Sequence, residues 1–250
     1  MFSFSNIKIV ISYDIKNKKL LYVKGVFIVK ILVYNNNTNR MQIIYRELSQ
    51  PMPYITNRTL TVGEFRGGSI SNILWTDLRC MEAWNSFRYL YGRGIYVGFA
   101  FRRPWEGKHG ILSQHYAGLA FDVGQNLSSS GRQNIWNIAN RSGIWNNLEP
   151  IEDTPRWVHF DERQTISGYP LVRFGSKGVY VCVLQDALIN LGYNTGGLDG
   201  VFGNNTKNAV LNYQQTRGLT VDGLVGNVTW RTLMNEVVGM GETSSTINTI

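Results

Sequence analysis

The chain has 250 residues, a formal net charge of +8 and a pI near 9.5. With 43% hydrophobic and 17% charged residues, its composition excludes a disordered protein. No stretch approaches the roughly 18 apolar residues of a membrane span. Two cysteines, Cys80 and Cys182, exclude a disulfide framework and are predicted to be free thiols. The positive charge favours a polyanionic partner, such as nucleic acid, an anionic membrane or wall teichoic acid.

The first 45 residues are predicted to be an N-terminal extension of unknown role. Residues 26–34 form a strand-like run. Asp14 and neighbouring lysines interrupt any secretory signal, and no Ala-x-Ala cleavage pattern follows. Three interpretations stay open for this segment: added strands, a poorly ordered extension, or a start codon placed ahead of the true start at Met41.

The next predicted domain covers residues 46–165 and mixes helices with strands. Apolar residues recur at steps of three and four over residues 73–91, which predicts one amphipathic helix ended by Gly92. Residues 95–101 and 157–161 are typical of strands, and a second helix is predicted over residues 131–142. The absence of a regular βαβ alternation indicates an α+β fold.

A short linker is predicted at residues 166–173, where Ser, Gly and Pro cluster. Beyond it the pattern favours three helices, over residues 179–191, 205–217 and 227–238. Two similar turns of the form Asp-Gly-apolar-apolar-Gly lie between them. This small module is predicted to span residues 166–240, and residues 241–250 are interpreted as a tail.

The C-terminal segment resembles the peptidoglycan-binding domain found at the ends of bacterial wall hydrolases. The resemblance covers about residues 171–238, and it implies wall adhesion by the domain as a whole. Trp230 is predicted to be packed rather than to form a ligand platform. The matching positions include Leu184-Gln185, Asp199-Gly200, Tyr213-Gln214, Asp222-Gly223 and Thr229-Trp230.

The segment over residues 113–122 reads Ser-Gln-His-Tyr-Ala-Gly-Leu-Ala-Phe-Asp. Gly118 permits a tight turn between His115 and a following strand. The two-residue period of that strand then places Asp122 on a face that Gly118 and Ala120 keep small. This arrangement leaves room for an ion beside the carboxylate.

A second segment, over residues 156–161, reads Arg-Trp-Val-His-Phe-Asp. Strand alternation puts Trp157, His159 and Asp161 on one face, opposite the two apolar side chains. Together the two segments supply two imidazoles and one carboxylate. Such a set is typical of a hydrolytic zinc site whose fourth position is open for water.

The pattern Ser-x-His-x-x-Gly-x-Ala-x-Asp, followed downstream by Trp-Val-His, resembles the zinc D-alanyl-D-alanine carboxypeptidase and endopeptidase family. That family shares its fold with the hedgehog signalling domain, and the resemblance covers about residues 58–165. It implies that Zn²⁺ is bound by His115, Asp122 and His159. His109 has no matching role and is interpreted as a loop residue.

Upstream, the run Phe-Arg-Arg-Pro at residues 101–104 resembles the family's Tyr-Arg-Ser/Thr-Pro segment. The resemblance places Arg102 where it holds a substrate carboxylate or the oxyanion by bidentate hydrogen bonds. Arg103 is interpreted as a solvated or salt-bridged residue. Ser113, which opens the metal motif, is predicted to contact the substrate.

The general base is the open question of this comparison. Relatives with a carboxylate three residues before the last histidine have Arg156 as their counterpart here, and those with His-x-His have Trp157. The hedgehog-like arrangement places an acid at Asp153, which we predict to transfer the proton. Asp161 and Glu152 stay as alternatives, and Asp161 could equally orient a ligand.

These features predict a zinc-dependent peptidase that cleaves peptide bonds of bacterial peptidoglycan, as a D,D-carboxypeptidase or as an endopeptidase of the endolysin type. The alternative is a catalytically inactive wall-binding protein. A nucleic-acid partner is disfavoured because the cationic residues are scattered. We expect a monomer without a transmembrane segment, located in the cell wall or made in the bacterial cytoplasm as a phage-type lysin.

Overall fold

The computed structural model describes residues 12–14, 19–22, 27–166 and 168–241. Ser167 of the predicted linker and almost all of the predicted tail lie outside these residues. The described part of the chain mixes helices and strands, which confirms the α+β class. Within it, no helix is both long enough and apolar enough to cross a membrane.

The N-terminal strands form two sheets. Strands β1 (Ser12–Asp14) and β2 (Lys19–Tyr22) pair antiparallel with each other. Strands β3 (Ile28–Asn35) and β4 (Arg40–Glu47) form an antiparallel hairpin, and β5 (Ile73–Asp77) pairs parallel with β3. The order of the second sheet is β4-β3-β5. The predicted strand over residues 26–34 therefore corresponds to β3.

The β3–β4 hairpin overlaps the predicted N-terminal extension of residues 1–45. The boundary placed between residues 45 and 46 falls inside β4, and β3 is bonded to β5, which lies deep in the next predicted domain. Four residues of β3 (Val29, Ile31, Leu32 and Val33) are fully buried. In the described structure, residues 28–47 thus belong to the same folded unit as residues 73–77.

The single helix predicted over residues 73–91 is wrong in its first part, because residues 73–77 form β5. Helix α2 (Leu78–Tyr91) begins after Asp77, whose Oδ1 accepts a hydrogen bond from the Cys80 amide at 2.8 Å. Gly92 ends the helix in the left-handed conformation, as predicted. Apolar spacing alone does not separate a buried strand from the helix that follows it.

A four-stranded antiparallel sheet, of order β6-β7-β9-β8, carries the second half of this unit. The strand predicted over residues 95–101 is shorter in the structure, where its pairing with β7 is irregular. The predicted helix over residues 131–142 is confirmed as α4. The elements are α1 (Val62–Arg66), β6 (Val97–Phe99), a 3-10 helix (Pro104–Glu106), α3 (Gln114–Ala117), β7 (Ala120–Val123), α4 (Ser129–Ser142), β8 (Asn147–Leu148) and β9 (Val158–Asp161).

Helix α2 covers one face of this sheet with aromatic side chains. The ring centroid of Trp84 lies 4.5 Å from that of Phe121 on β7, and Phe87 lies 5.0 Å from Phe160 on β9. All four side chains are fully buried. Because strand side chains alternate, the neighbouring residues of β7 and β9 point away from α2 and become available for a site.

The C-terminal module contains the three predicted helices with end points that differ by one residue. They are α5 (Val179–Asn190), α6 (Asn204–Thr216) and α7 (Asn227–Val237). Trp230 is buried at 1% exposure, and its Nε1 donates to the Pro170 carbonyl at 2.9 Å, which confirms that it is a packing residue. Both cysteines are free thiols, as predicted, and both are buried.

A buried glutamine side chain forms hydrogen bonds with each of the two Asp-Gly turns. The Gln185 side chain accepts hydrogen bonds from the amides of Asp199 and Gly200 and donates to the Asp199 carboxylate at 2.8 Å. Gln214 makes the same three contacts with Asp222 and Gly223. Each buried amide group therefore closes one turn, because it satisfies the turn's backbone donors from inside the module.

The module packs directly on the preceding unit. The Arg103 guanidinium binds both carboxylate oxygens of Asp186 on α5, with Nε 2.8 Å from Oδ2, and it also donates to Ser71 Oγ at 3.0 Å. The side chain of Asp186 is fully buried and that of Arg103 is 12% exposed. The salt-bridge interpretation of Arg103 is confirmed. Tyr180 adds a buried hydrogen bond to Gln114 at 2.9 Å.

Asp186→Ala is expected to lower the free energy of unfolding by about 3–5 kcal/mol, because it leaves the buried Arg103 guanidinium without a counter-charge. Urea unfolding followed by fluorescence measures the loss. Arg217→Ala is the control, since it removes the solvent-accessible pair with Glu236 and should cost much less. Equal losses in the two variants would show that the interface pair contributes no more than a surface pair.

Candidate metal centre

The register of β7 and β9 creates the first half of the site. Asp122 lies directly opposite His159 across the antiparallel pair, and Phe121 lies opposite Phe160. Since α2 occupies the Phe face, the carboxylate and the imidazole share the other one. Asp122 Oδ1 and His159 Nδ1 are 2.7 Å apart. The two side chains therefore face each other on one side of the sheet.

His115 comes to this pair on the short helix α3. Ser113 caps the helix, with its Oγ accepting from the His115 amide at 3.3 Å. Gly118 ends it with a φ of 67°, and a Cβ at this position would lie 1.9 Å from the Trp75 carbonyl oxygen. A side chain at position 118 therefore does not fit, because α3 turns into β7 directly against β5.

Hydrogen bonding decides which nitrogen of His115 faces the site. Its Nδ1 lies 3.2 Å from the Ala100 carbonyl oxygen, an acceptor that requires the proton on Nδ1. Its Nε2 lies 3.3 Å from Asp122 Oδ1 and is buried without a hydrogen-bond partner. Nε2 is therefore the His115 atom that faces the Asp122 carboxylate and that could bind a metal ion there.

His159 is oriented from behind by Asp161. The Nε2 atom of His159 lies 3.0 Å from Asp161 Oδ2, which leaves Nδ1 for Asp122. Arg163 holds Asp161 in turn, with Nε 2.8 Å from Oδ1 and Nη2 2.5 Å from Oδ2. A carboxylate behind a ligating imidazole fixes its orientation and raises its basicity. Asp161 occupies this orienting position.

The charges of the site are strongly coupled. Burial by itself would lower the pKa of His159, but hydrogen bonds to Asp122 and Asp161 outweigh it and raise the pKa to about 9. Burial would raise the pKa of Asp122, yet the two histidines hold it well below its usual range. The Asp161 pKa falls to about 2, because Arg163 and His159 outweigh its burial. The two carboxylates therefore favour the protonated form of the His159 imidazole.

His109, which is predicted to be a loop residue without a matching role, lies beside His115 and Asp122. His109, His115 and Asp122 each offer a ligand atom within 4.8 Å of the others. Burial, reinforced by His115, lowers the His109 pKa to about 3. Imidazole nitrogens and a carboxylate oxygen at these separations, two of the nitrogens buried without partners, fit the donor set that zinc prefers.

The cluster opens into a cavity of about 300 Å³. It contains one carboxylate that sequence analysis missed: Glu149, whose Oε1 lies 3.9 Å from His159 Nε2 and whose side chain is 40% exposed. No motif marks Glu149, because it reaches the site only through the pairing of β8 with β9. The lining residues are His109, Gly110, Leu112, Ser113, Gln114, His115, Asp122, Glu149, Trp157, His159, Arg163 and Gly168.

Other predicted site residues lie outside this lining. Asp153 and Glu152 are exposed in the loop before β9. Arg102 is buried, its guanidinium stacks over the Phe99 ring at 5.1 Å, and its Nη2 would lie 2.9 Å from a Cβ on Gly68. The cation that does line the cavity is Arg163. Ser113 and Trp157 are part of the lining.

Comparison with known proteins identifies the C-terminal module. Residues 177–233 match the peptidoglycan binding domain family PG_binding_1. The N-acetylmuramoyl-L-alanine amidase CwlM of Mycobacterium tuberculosis is 47% identical over 63 residues, which cover 24% of this chain and 16% of CwlM. The spore cortex-lytic enzyme of Bacillus cereus is 42% identical over 64 residues, 26% of this chain and 25% of that enzyme.

The chain thus spans about a sixth and a quarter of the length of these two curated relatives, and the matches lie in the binding domain. Among solved structures, a peptidoglycan-binding protein from Clostridioides difficile in complex with glutamine hydroxamate is 39% identical over 28% of this chain and 43% of its own, with a TM-score of 0.27. The SleB N-terminal domain is 40% identical over 27% of this chain and 93% of its own, with the same TM-score.

These findings define a class of module. The C-terminal part of the chain is a peptidoglycan-binding domain of the kind present in cell-wall lytic enzymes. The predicted resemblance of this segment is confirmed. The zinc peptidase resemblance of the preceding unit stays a prediction.

Proposed function

We propose that the protein is a zinc-dependent peptidase that hydrolyses peptide bonds of bacterial peptidoglycan, as a D,D-carboxypeptidase or an endopeptidase of the endolysin type. The observation that carries the proposal is the cross-strand pair of Asp122 and His159 beside His115, on a sheet face that opens into a cavity. When bound there, a zinc ion supplies a Lewis acid that polarises the scissile carbonyl and lowers the pKa of water.

The hydrogen bonds of the site support one proposed ligand atom on each of the two histidines. Ala100 occupies Nδ1 of His115, so its Nε2 is the ligand. Asp161 occupies Nε2 of His159, so its Nδ1 is the ligand. A zinc ion here would compete with the proton that lies between His159 and Asp122, so zinc affinity should fall at low pH.

Glu149 is our candidate for the general base, in place of the predicted Asp153. It is the carboxylate that lines the cavity without being a proposed ligand, and its partial exposure leaves it free to exchange a proton. Asp161 is engaged by Arg163 and His159. In the proposed reaction, Glu149 takes the proton of the attacking water and returns it to the leaving amine.

Arg163 and Ser113 are the proposed substrate contacts. Both line the metal-centre cavity, and Arg163 also lines a second cavity of about 910 Å³ together with Arg79 and Lys177. Cationic walls suit a substrate that carries free carboxylates. The second cavity could bind the part of the peptidoglycan strand that lies next to the peptide bond being cleaved. For Arg102, a direct substrate contact is not supported by its position over Phe99.

The C-terminal module is proposed to hold the protein on its substrate. Its similarity to the binding domains of two lytic enzymes supports peptidoglycan as the partner and the cell wall as the site of action. Tethering raises the local concentration of peptide bonds at the metal centre without a new contact there. The net charge of +8 suits an anionic wall.

A catalytically inactive wall-binding protein is the second candidate. The observation in its favour is Arg156, which stands where many relatives of the peptidase family have a carboxylate and which is exposed in the structure. In that case the module would retain wall adhesion while the metal centre performs no hydrolysis.

Digestion of purified peptidoglycan by the zinc-loaded full chain separates the two candidates. We expect new free amino groups and mass-shifted wall fragments, with their release abolished by EDTA and restored by added zinc. Release of free D-alanine alone identifies a carboxypeptidase, and shortened cross-linked fragments identify an endopeptidase. Sedimentation with the wall without any new amino group would establish the inactive binding protein instead.

A further inference from the structure

The imidazole of His109 is held in a fixed orientation next to the proposed ligands. Its ring stacks on that of His115, with centroids 4.2 Å apart and an angle of 25° between the planes. Phe99 packs edge-on against it at 5.2 Å and 87°. A surface loop histidine without a role would not need aromatic contacts on two sides.

The backbone of His109 is anchored to the helix that carries His115. The Tyr116 hydroxyl accepts from the His109 amide at 3.2 Å and donates to the His109 carbonyl at 3.0 Å. Gly107 and Lys108 precede it with φ angles of 66° and 75°, so two left-handed residues turn the loop back toward the sheet. The loop is therefore built to bring position 109 onto α3.

The imidazole has an unmet requirement for a partner. Its Nε2 is buried and makes no hydrogen bond, which is unfavourable unless another group or ion compensates it. The same residue offers a ligand atom within 4.8 Å of those of His115 and Asp122. An ion shared with these two residues would compensate the cost, since each of them also faces the cluster.

We propose that His109 is a fourth protein ligand of the metal centre, which closes the site at rest and is displaced when the substrate enters. This inference rests on the proposed zinc site. Four protein ligands are typical of closed zinc sites, whereas catalysis needs an open position. The exchange would replace one neutral ligand by another: the imidazole nitrogen of His109 would leave the ion as the substrate carbonyl oxygen takes its place, with no proton or electron transferred.

The loop around His109 has room for this displacement. Lys108 and Gly110 on either side of it are exposed, and a Cβ at Gly110 would meet no atom within 4 Å. His115 and His159, by contrast, are held by Ala100 and Asp161 from behind. Among the histidines of the cluster, His109 is the one on a loop, and so the one whose release disturbs no sheet contact.

Cobalt(II) bound to the full chain tests the inference without any measurement of hydrolysis. His109→Ala and the more conservative His109→Gln are compared with the wild type by visible absorption and by competitive titration with a chelating dye. We expect both variants to change the cobalt absorption bands and to raise the Kd for cobalt by about tenfold or more. Loss of a residue that only orients a ligand already weakens metal binding by this factor, so loss of a ligand should weaken it at least as much. Lys108→Ala, in the same loop, is the matched control and should match the wild type.

The outcomes separate this inference from the proposed function. Unchanged bands and a Kd within about twofold of wild type in both variants would overturn the role of His109 while leaving the three-ligand site intact. A wild-type chain that binds no cobalt or zinc would overturn both. Changed bands in a protein that releases no wall fragments would support His109 as a ligand and reject the hydrolase.

Discussion

Asp122→Ala is expected to abolish zinc binding and peptidoglycan hydrolysis together. Asp122 Oδ1 lies 3.3 Å from His115 Nε2 and 2.7 Å from His159 Nδ1, so this one oxygen joins both imidazoles to the site. Removing it leaves the imidazoles without a common ligand oxygen, and it takes from His159 one of its two neighbouring carboxylates, so that Asp161 alone remains. Because a metal contributes several kcal/mol to transition-state stabilisation, the rate should fall by about a thousandfold or more.

Zinc content by atomic emission, the rate of amino-group release and a thermal unfolding curve are measured on the same Asp122→Ala preparation. The unfolding curve establishes that the variant is folded, and wall sedimentation checks that the module still binds. Glu82→Gln, an exposed acidic residue on α2, is the control and should retain full zinc and activity. A folded Asp122→Ala variant that still contains stoichiometric zinc would show that the ion binds at another place in the protein.

Glu149→Gln should lower kcat by about 100- to 10,000-fold while zinc content stays at the wild-type level. The amide keeps the size and polarity of the side chain but cannot accept the proton of the attacking water. Asp153→Asn should remain within about twofold of wild type, since its carboxylate is exposed and does not line the cavity. The two variants test the base assigned from the structure against the base assigned from the sequence.

The measurement is a pair of pH–rate profiles on soluble wall fragments, with zinc content determined for each preparation. Loss of the acidic limb of the profile in Glu149→Gln, together with a reduced kcat, would identify the base. A higher KM with an unchanged kcat in Glu149→Gln would indicate that Glu149 only binds substrate. Full activity in Glu149→Gln combined with inactivity in Asp153→Asn would restore the assignment based on the hedgehog-like spacing.

Short-range patterns predicted the two strands that carry Asp122 and His159. Alternation within β7 and β9 is a local property of the chain, so the faces of Asp122 and His159 follow from their neighbours. The requirement for Gly118 also has a local cause, since its φ of 67° ends a four-residue helix. The three helices of the module were predicted nearly to the residue because glycines flank each of them.

Predictions failed where two elements meet in sequence without a marker. Residues 73–91 carry one continuous apolar stripe, yet pairing with β3 turns the first five residues into a strand. Likewise, nothing near residue 45 indicates that the hairpin joins β5. In both places, long-range hydrogen bonding between strands outweighed the local pattern. Arguments from residue spacing contain no information about such long-range pairing.

By itself, the sequence determined which residue types are available for chemistry and which small module ends the chain, because both are written in short motifs. The tertiary structure alone decided that Glu149, His109 and Arg163 lie around the proposed ligands, and that Arg103 pairs with Asp186. These contacts depend on strand register, a left-handed loop and the docking of one domain on the other. Such features arise from packing between distant segments, so no local spacing predicts them.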